Sequence, residues 1–335
     1  MSRILTLAIA FSLVFNGSFA NAKKGYKSFK VAFYNCENYY DTINDPTIDD
    51  EEFLPSAAAN WNSTRFNQKK QHLAQVIHEI DPDAIGLSEI ENKEVLNELV
   101  LESAIKSANY GVVHYNSPDK RGIDVGFLYK KNTMQVNSSK VYGIRFPFDT
   151  VTRTRDILVV EVTLNQNNAK AFFIVNHFPS RRGGAAESEM KRVFVGQQLK
   201  AIADSLERLY PTVAVIAMGD FNDEPSDKSM TQLLMNASNL GLVNPFSDMQ
   251  AKGEGSIYFN NQWDLFDQIL YAPCVQNASN PISYIANSAM IFKPAYVLEP
   301  EGKYKGAPLR TYVGKKYLGG YSDHMAVFAS FNLKK

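Results

Sequence analysis

Short apolar runs of strand length alternate with longer amphipathic segments along the chain, the pattern of an α/β protein. Residues 64–80 follow Ser63 and carry Phe66, Leu73, Ile77 and Ile80 on one helical face. Residues 187–210 place Val195, Leu199, Ile202, Leu206 and Leu209 at helical spacing, and Pro211 stops them. Segments 93–108 and 227–237 also read as helices. The strand-like runs share a peculiarity at their ends. "FKVAFY" runs into Asn35 and Glu37, "DAIGLS" into Glu89, "KAFFIV" into Asn176 and His177, and "TVAVIA" into Asp220 and Asn222. Two runs are reversed: Asp267 precedes "QILYA", and Asp323 and His324 precede "MAVFASF". If all six sites meet at one edge, four strands run toward it and two run away. The sheets are then mixed or antiparallel rather than all-parallel.

The chain after residue 22 is long enough for two domains on a prior of about 150 residues each. A site assembled from residues 35 to 324 overrides that prior and implies a single domain over 23–335. Residues 1–22 have the layout of a signal peptide: Arg3, an apolar stretch over 4–15, and "FANA" with a cleavage site after Ala22. Export to a periplasmic or extracellular location is expected. No later stretch reaches the roughly 18 apolar residues of a membrane span.

Charge narrows the chemistry. Lys plus Arg and Asp plus Glu are 35 each, so phosphate recognition must be local rather than a bulk basic field. Two cysteines, Cys36 and Cys274, exclude a disulfide-dense scaffold and a cysteine zinc ribbon, and leave one disulfide open. Asp49–Glu52 lacks the alternating spacing of a calcium loop and reads as a solvated run. Nucleophile-elbow, P-loop and HExxH patterns are absent from the sequence.

The motifs "FYNCENYYD", "GLSEIEN", "RGIDVGFLY", "TRTRDIL", "NHFPSRRGG", "GDFNDEP", "FDQIL" and "YSDH" resemble, in order, those of the endonuclease/exonuclease/phosphatase superfamily, in its exported bacterial branch. The resemblance covers about residues 30 to 331. It implies a four-layer sandwich, two packed mixed or antiparallel β-sheets flanked by helices. It also implies hydrolysis of phosphate esters with a divalent metal, usually Mg²⁺, with Mn²⁺ and Ca²⁺ as alternatives.

On that resemblance Glu89 is the principal metal ligand and Asp323 the second carboxylate. Glu37 completes the shell, because two residues along an extended strand it shares a face with Asn35. A hard cation that keeps several waters needs no more than one or two carboxylates. Asp220 orients or deprotonates the attacking water, and Asn35 and Asn222 hold it and the phosphate. A plain Asx-turn is the competing reading of "GDFND". His177 and His324 contact the phosphate or pass a proton, work typically worth ~10²–10⁴-fold in rate, with Asp267 as the partner of His324 and Asp124 as the candidate partner of His177. Arg155, with Asp124, belongs to the substrate-binding set, and Arg181 and Arg182 are expected to grip flanking phosphates. The basic stretch 303–317 reads as a substrate loop or a solvated run, and His72, His78 and His114 as surface or core histidines.

The expected activity is an exported phosphodiesterase cutting nucleic acid, most simply as an endonuclease, working as a monomer with no stable protein partner. A phospholipid phosphodiesterase or a phosphomonoesterase shares the same core. A binding module without catalysis is opposed by the intact set of acids and histidines.

Overall fold

The computed structural model describes residues 25–234 and 241–335; the segment read as a signal peptide lies outside the described residues. The strands are β1 (Tyr26–Tyr39), β2 (Ala84–Ile90), β3 (Tyr110–His114), β4 (Asp124–Lys130), β5 (Met134–Tyr142), β6 (Ile157–Leu164), β7 (Lys170–His177) and β8 (Ala214–Asp220). They continue with β9 (Ile257–Phe259), β10 (Gln262–Asp264), β11 (Asp267–Tyr271), β12 (Ile282–Tyr284), β13 (Met290–Ile291), β14 (Tyr312–Val313), β15 (Lys316–Tyr317) and β16 (Val327–Lys334). The helices are α1 (Ser63–Ile80), α2 (Lys93–Leu99), α3 (Ala185–Leu209), α4 (Lys228–Leu234) and α5 (Ser247–Ala251). Asn62 caps α1 through its side chain, one residue before the Ser63 that the pattern suggested. The expected helix over 93–108 stops at Leu99. Val95, Leu96 and Leu99 are buried on its inner face, but the next turns of that face would carry Glu102, Ser103 and Lys106, so the apolar stripe ends.

One sheet has the order β12-β16-β1-β2-β4-β3, with β13 also on β16; the other has the order β11-β8-β7-β6-β5. The six marked runs divide evenly between them. β1 and β2 are parallel with β16 antiparallel to β1, and β7 and β8 are parallel with β11 antiparallel to β8. Each sheet therefore sends two strands toward the functional edge and brings one back.

Strand alternation builds the layers. Phe29, Val31 and Phe33 of β1 meet Phe173, Val175, Ile216 and Met218 of β7 and β8 in the core between the sheets. The opposite faces carry Ala32, Tyr34, Ile85 and Leu87 under Leu73 and Ile77 of α1, and Ile174, Val215 and Ala217 under Val195 and Leu199 of α3. Helix, sheet, sheet, helix is a four-layer sandwich. The sheets pack tightly at Gly86, where a Cβ would sit 2.8 Å from Met218 Sδ. Cys36 and Cys274 are both free, and burial pushes their thiols up to about 12 and about 11. Among the described residues no helix is long and apolar enough to cross a membrane. Asp50 departs from the solvated reading of its run: it is buried, and its carboxylate accepts Asp45 N at 2.9 Å.

Candidate active site

The second sheet supplies a line of ionisable groups. His177 pairs with Asp220 across β7 and β8, and Asp220 with Asp267 across β8 and β11. Cross-strand partners face the same side, so register alone gathers three buried groups. His177 Nε2 lies 3.5 Å from Asp220 Oδ2. His324 enters on the strand-leading segment of β16, with Nδ1 2.7 Å from Asp267 Oδ2 and Nε2 3.8 Å from Asp220 Oδ2. Ser256 Oγ donates to the same Asp267 oxygen at 2.6 Å. Gly219 precedes Asp220 because the strands are tight there: a Cβ would lie 2.4 Å from Asn176 O.

The first sheet reaches across to this line. Asn35 Nδ2 donates to Asp220 Oδ2 at 3.0 Å, and Ser322 Oγ donates to Asn35 O at 2.7 Å. Asp220 Oδ1 accepts Asn222 N at 2.8 Å, while Asn222 Nδ2 donates to Phe178 O at 3.0 Å. The "GDFND" stretch is thus an Asx-turn whose carboxylate also lies at the centre of the cluster. Both readings of that stretch describe the same atoms.

Backbone regularity fails at this edge. Glu37 (φ 49°), Asn38 (φ 54°), Glu89 (φ 58°) and Asn222 (φ 49°) all adopt the left-handed region. For residues other than glycine this costs of order 1–3 kcal/mol each, and such strain concentrates at functional sites. The β1–β2 register skips from Asn35↔Ser88 to Tyr39↔Ile90 over the same residues. The backbone at Glu37 is therefore not extended, and the count by two that placed it on the face of Asn35 does not apply there. Its carboxylate accepts Thr311 N at 2.6 Å and Arg310 Nε at 3.5 Å, with Lys69 Nζ at 3.9 Å. Arg310 also pairs with Asp323. Glu89 is half-buried; Oε2 accepts Asn38 N at 2.8 Å, and its other oxygen makes no hydrogen bond among the described residues. Glu89 and Asp323 therefore retain oxygen lone pairs of the kind a hard divalent cation takes. Asp220, Asp267 and His324 also lie close enough to hold an ion. There, however, His324 Nδ1 is already engaged by Asp267, so that cluster fits a proton relay better than a cage.

Electrostatics separate the two histidines. Burial drives His177 well below the ordinary histidine range, helped by the charges of Arg155, Arg121 and His324, so its ring is neutral. Burial works the same way on His324, but Asp267 and Asp220 outweigh it and hold its proton well above that range. Asp220 is pushed up to about 7 by burial, with His324 and Asn35 opposing the rise and Asp267 adding to it. The two histidines are thus pushed in opposite directions, one neutral and one protonated, while Asp220 is brought to the neutral range where it can exchange a proton.

Several expected substrate contacts lie elsewhere. Asp124 sits 3.1 Å from His114 Nε2 and accepts Ser117 N at 2.8 Å, so it partners His114 rather than His177. The strand register explains this, since His114 pairs with Gly126 beside Asp124 on β4. Arg155 is buried against Asp119 Oδ2 at 3.0 Å and also donates to Phe178 O. Arg181 gives its guanidinium to Asp223 at 3.0 Å and Asp227 at 2.5 Å and stacks over Phe266, an internal tie rather than an open grip. Arg182 is exposed and makes no hydrogen bond or ion pair among the described residues. Among the cations of 303–317, Arg310 is the one that pairs with site acids, while Lys303 and Lys305 are exposed. His72 stacks on Tyr321 and His78 is exposed.

Sequence reasoning missed Ser256, Asp119 and Lys69. Ser256 and Lys69 lie in no motif, and nothing local marks them. Asp119 stands two residues before Arg121 of the "RGID" motif, and a buried Arg155 needs such a partner.

Residues 30–334 match the model of the Endonuclease/Exonuclease/phosphatase family. No curated protein matches the chain. Among solved structures, an endonuclease/exonuclease/phosphatase family protein from Bacteroides thetaiotaomicron is similar at TM-score 0.61 and 14% identity, covering 92% of this chain and 98% of that one. A mannosyl-6-phosphatase of the same organism gives TM-score 0.58 and 13% identity over 90% and 99%. D. rerio TDP2 complexed with a single-strand DNA product gives TM-score 0.57 and 14% identity over 91% and 99%.

Proposed function

Because the chain belongs to the endonuclease/exonuclease/phosphatase family, whose fold is that of metal-dependent phosphoesterases, we propose that it is a hydrolase of phosphodiesters in nucleic acid, acting as an endonuclease after export. The observation that carries the reading is the row His177–Asp220–Asp267 closed by Asn35 and His324. Asp220, with its proton affinity near neutrality, accepts a proton from water or orients it, and Asn35 fixes the carboxylate that does so. His324, protonated and backed by Asp267, is the donor to a phosphoryl or leaving oxygen. His177 stays neutral beside Asp220 and serves as a hydrogen-bonding partner. A divalent cation, Mg²⁺ first, would be held by Glu89 and Asp323 and would supply neutralisation of charge on the phosphate.

The neighbours divide over substrate: one bears the name of a sugar phosphatase, another holds single-strand DNA, at nearly equal similarity. The test is a panel of plasmid DNA, RNA, a lipid diester and a phosphomonoester, each with Mg²⁺, Mn²⁺ or Ca²⁺. Cleavage of plasmid or RNA is the expected result. Turnover of the monoester alone would replace the nuclease reading with a phosphatase one, and full activity in excess EDTA would remove the metal from both.

A further inference from the structure

Beyond His177 the chain runs through Phe178 into Pro179 and Ser180, which line a cleft of about 270 Å³ between the 152–155 segment and the start of α3. We propose that this cleft is a second phosphate site, which takes a phosphate of the substrate chain flanking the one that reacts; this rests on the nucleic-acid reading above.

Three observations carry it. First, two cations of the cleft have no carboxylate. Arg153 is exposed and donates only to the backbone oxygens of Thr150, Val151 and Thr152, at 2.6, 3.4 and 3.3 Å, and Arg182 is unengaged among the described residues. Lys191 is neutralised by Asp149 at 2.6 Å, and Glu187 is the single acid in the lining, so the cleft keeps a positive balance. Second, Thr154 is a lining residue only 2% exposed whose Oγ1 has no hydrogen-bond partner, and Nε of Arg155, 5% exposed, is likewise unpartnered. A buried donor left unmade costs about 1–3 kcal/mol, and both donors sit in one wall. Third, α3 begins here at Gly184 with no side-chain cap, and its first intrahelical bond is Ser188 N to Gly184 O at 3.3 Å. The first-turn N–H groups of this 25-residue helix take no side-chain cap among the described residues; the Glu187 carboxylate lies beside Gly184, where a Cβ would meet its Oε2 at 2.1 Å, and an incoming anion would have to displace it. Donors, surplus cations and an uncapped helix start all ask for an acceptor-rich, negatively charged group.

The position suits a neighbouring phosphate. Arg155 donates to Phe178 O, which Asn222 also holds at 3.0 Å, so the wall of the cleft is tied to the reacting cluster.

The probe is inorganic phosphate, titrated by calorimetry into the protein in EDTA. One saturable site is expected, weakened about tenfold or more by Arg153→Ala, the loss that corresponds to one charge-assisted contact of about 1.5 kcal/mol. Thr154→Val should weaken phosphate as well while raising the melting temperature, since it deletes a buried hydroxyl with no partner. Phosphate binding that both variants leave intact overturns the site, as does an absence of saturable binding. On substrates, Arg153→Ala should lower kcat/KM for a short single-stranded oligonucleotide about tenfold more than for bis(4-nitrophenyl) phosphate, which has no flanking phosphate. Equal losses on both overturn the flanking role. If the variants abolish phosphate binding while the unaltered protein cuts no polynucleotide, the site stands and the nuclease reading alone falls.

Discussion

The two sheets contribute to the site by opposite means. The second sheet acts through regularity: His177, Asp220 and Asp267 are aligned because β7, β8 and β11 are in register. The first sheet acts through breakage: Glu37, Asn38 and Glu89 sit in left-handed backbone, and the β1–β2 register skips a stretch to accommodate them. Buried acid–base groups need fixed mutual distances, which a ladder of hydrogen bonds supplies. Oxygens meant to stay available have to turn away from the ladder, and strained residues achieve that.

The largest effect should come from the regular half. Asp220→Asn keeps the shape and the contact with Asn35 but removes the base, and should cost roughly 10²–10⁴-fold in kcat/KM. The pH profile carries the sign. With its proton affinity raised to about 7, Asp220 is inactive as a base below that pH, so kcat/KM of the unaltered protein should rise as pH increases through about 7. His324 works in its protonated form and is held well above the ordinary histidine range, so activity should fall again at alkaline pH as that proton is lost. A flat profile across neutrality, measured on a substrate whose chemistry is rate-limiting, would remove Asp220 from the role of base.

The same contrast explains what is legible in the sequence. Runs such as "KAFFIV" and "TVAVIA" announce strands, and where a strand ends regularly its last polar residue is where counting puts it. His177 and Asp220 are of that kind, and Asp267 is its mirror image at the start of β11. Glu37 is neither: counting by two from Asn35 assumes extended backbone, and φ 49° breaks the count. Asp124 shows a second limit, because its partner was decided by the pairing of β3 with β4, which no local motif encodes. Arg181 shows a third, since its acids Asp223 and Asp227 lie over forty residues away, beyond the reach of a local pattern.

An intermediate effect belongs to Glu89 in the broken half. Glu89→Gln retains an oxygen but loses the charge, and should raise the Mg²⁺ concentration needed for half-maximal activity by at least the roughly 10–100-fold that losing even an outer partner of a metal site costs. High Mg²⁺ should restore part of the rate. A drop in rate with an unchanged metal requirement would move Glu89 out of the cation's shell.

The smallest effect sharpens the comparison most. Glu37 and Glu89 both lie in left-handed backbone, yet Glu37 is buried with Thr311 N, Arg310 and Lys69 around its carboxylate, while Glu89 keeps an oxygen unbonded among the described residues. Burial and the nearby Asp323 raise the proton affinity of Glu37, so its charge is held only by those neighbours. The expected role of Glu37 is to order Arg310 and the backbone at Thr311 rather than to add to metal affinity. Glu37→Gln preserves the acceptor for Thr311 N and removes the ion pairs, which should lower the melting temperature and reduce kcat by about tenfold or less, well under the loss at Asp220. The half-maximal Mg²⁺ concentration should stay within about twofold of the unaltered protein, against the large rise expected at Glu89. Titrating activity with Mg²⁺ in both variants side by side makes the comparison. A matching rise in the two would mean that Glu37 reaches the cation after all, and that backbone breakage in the first sheet serves to bring its acids together rather than to divide their tasks.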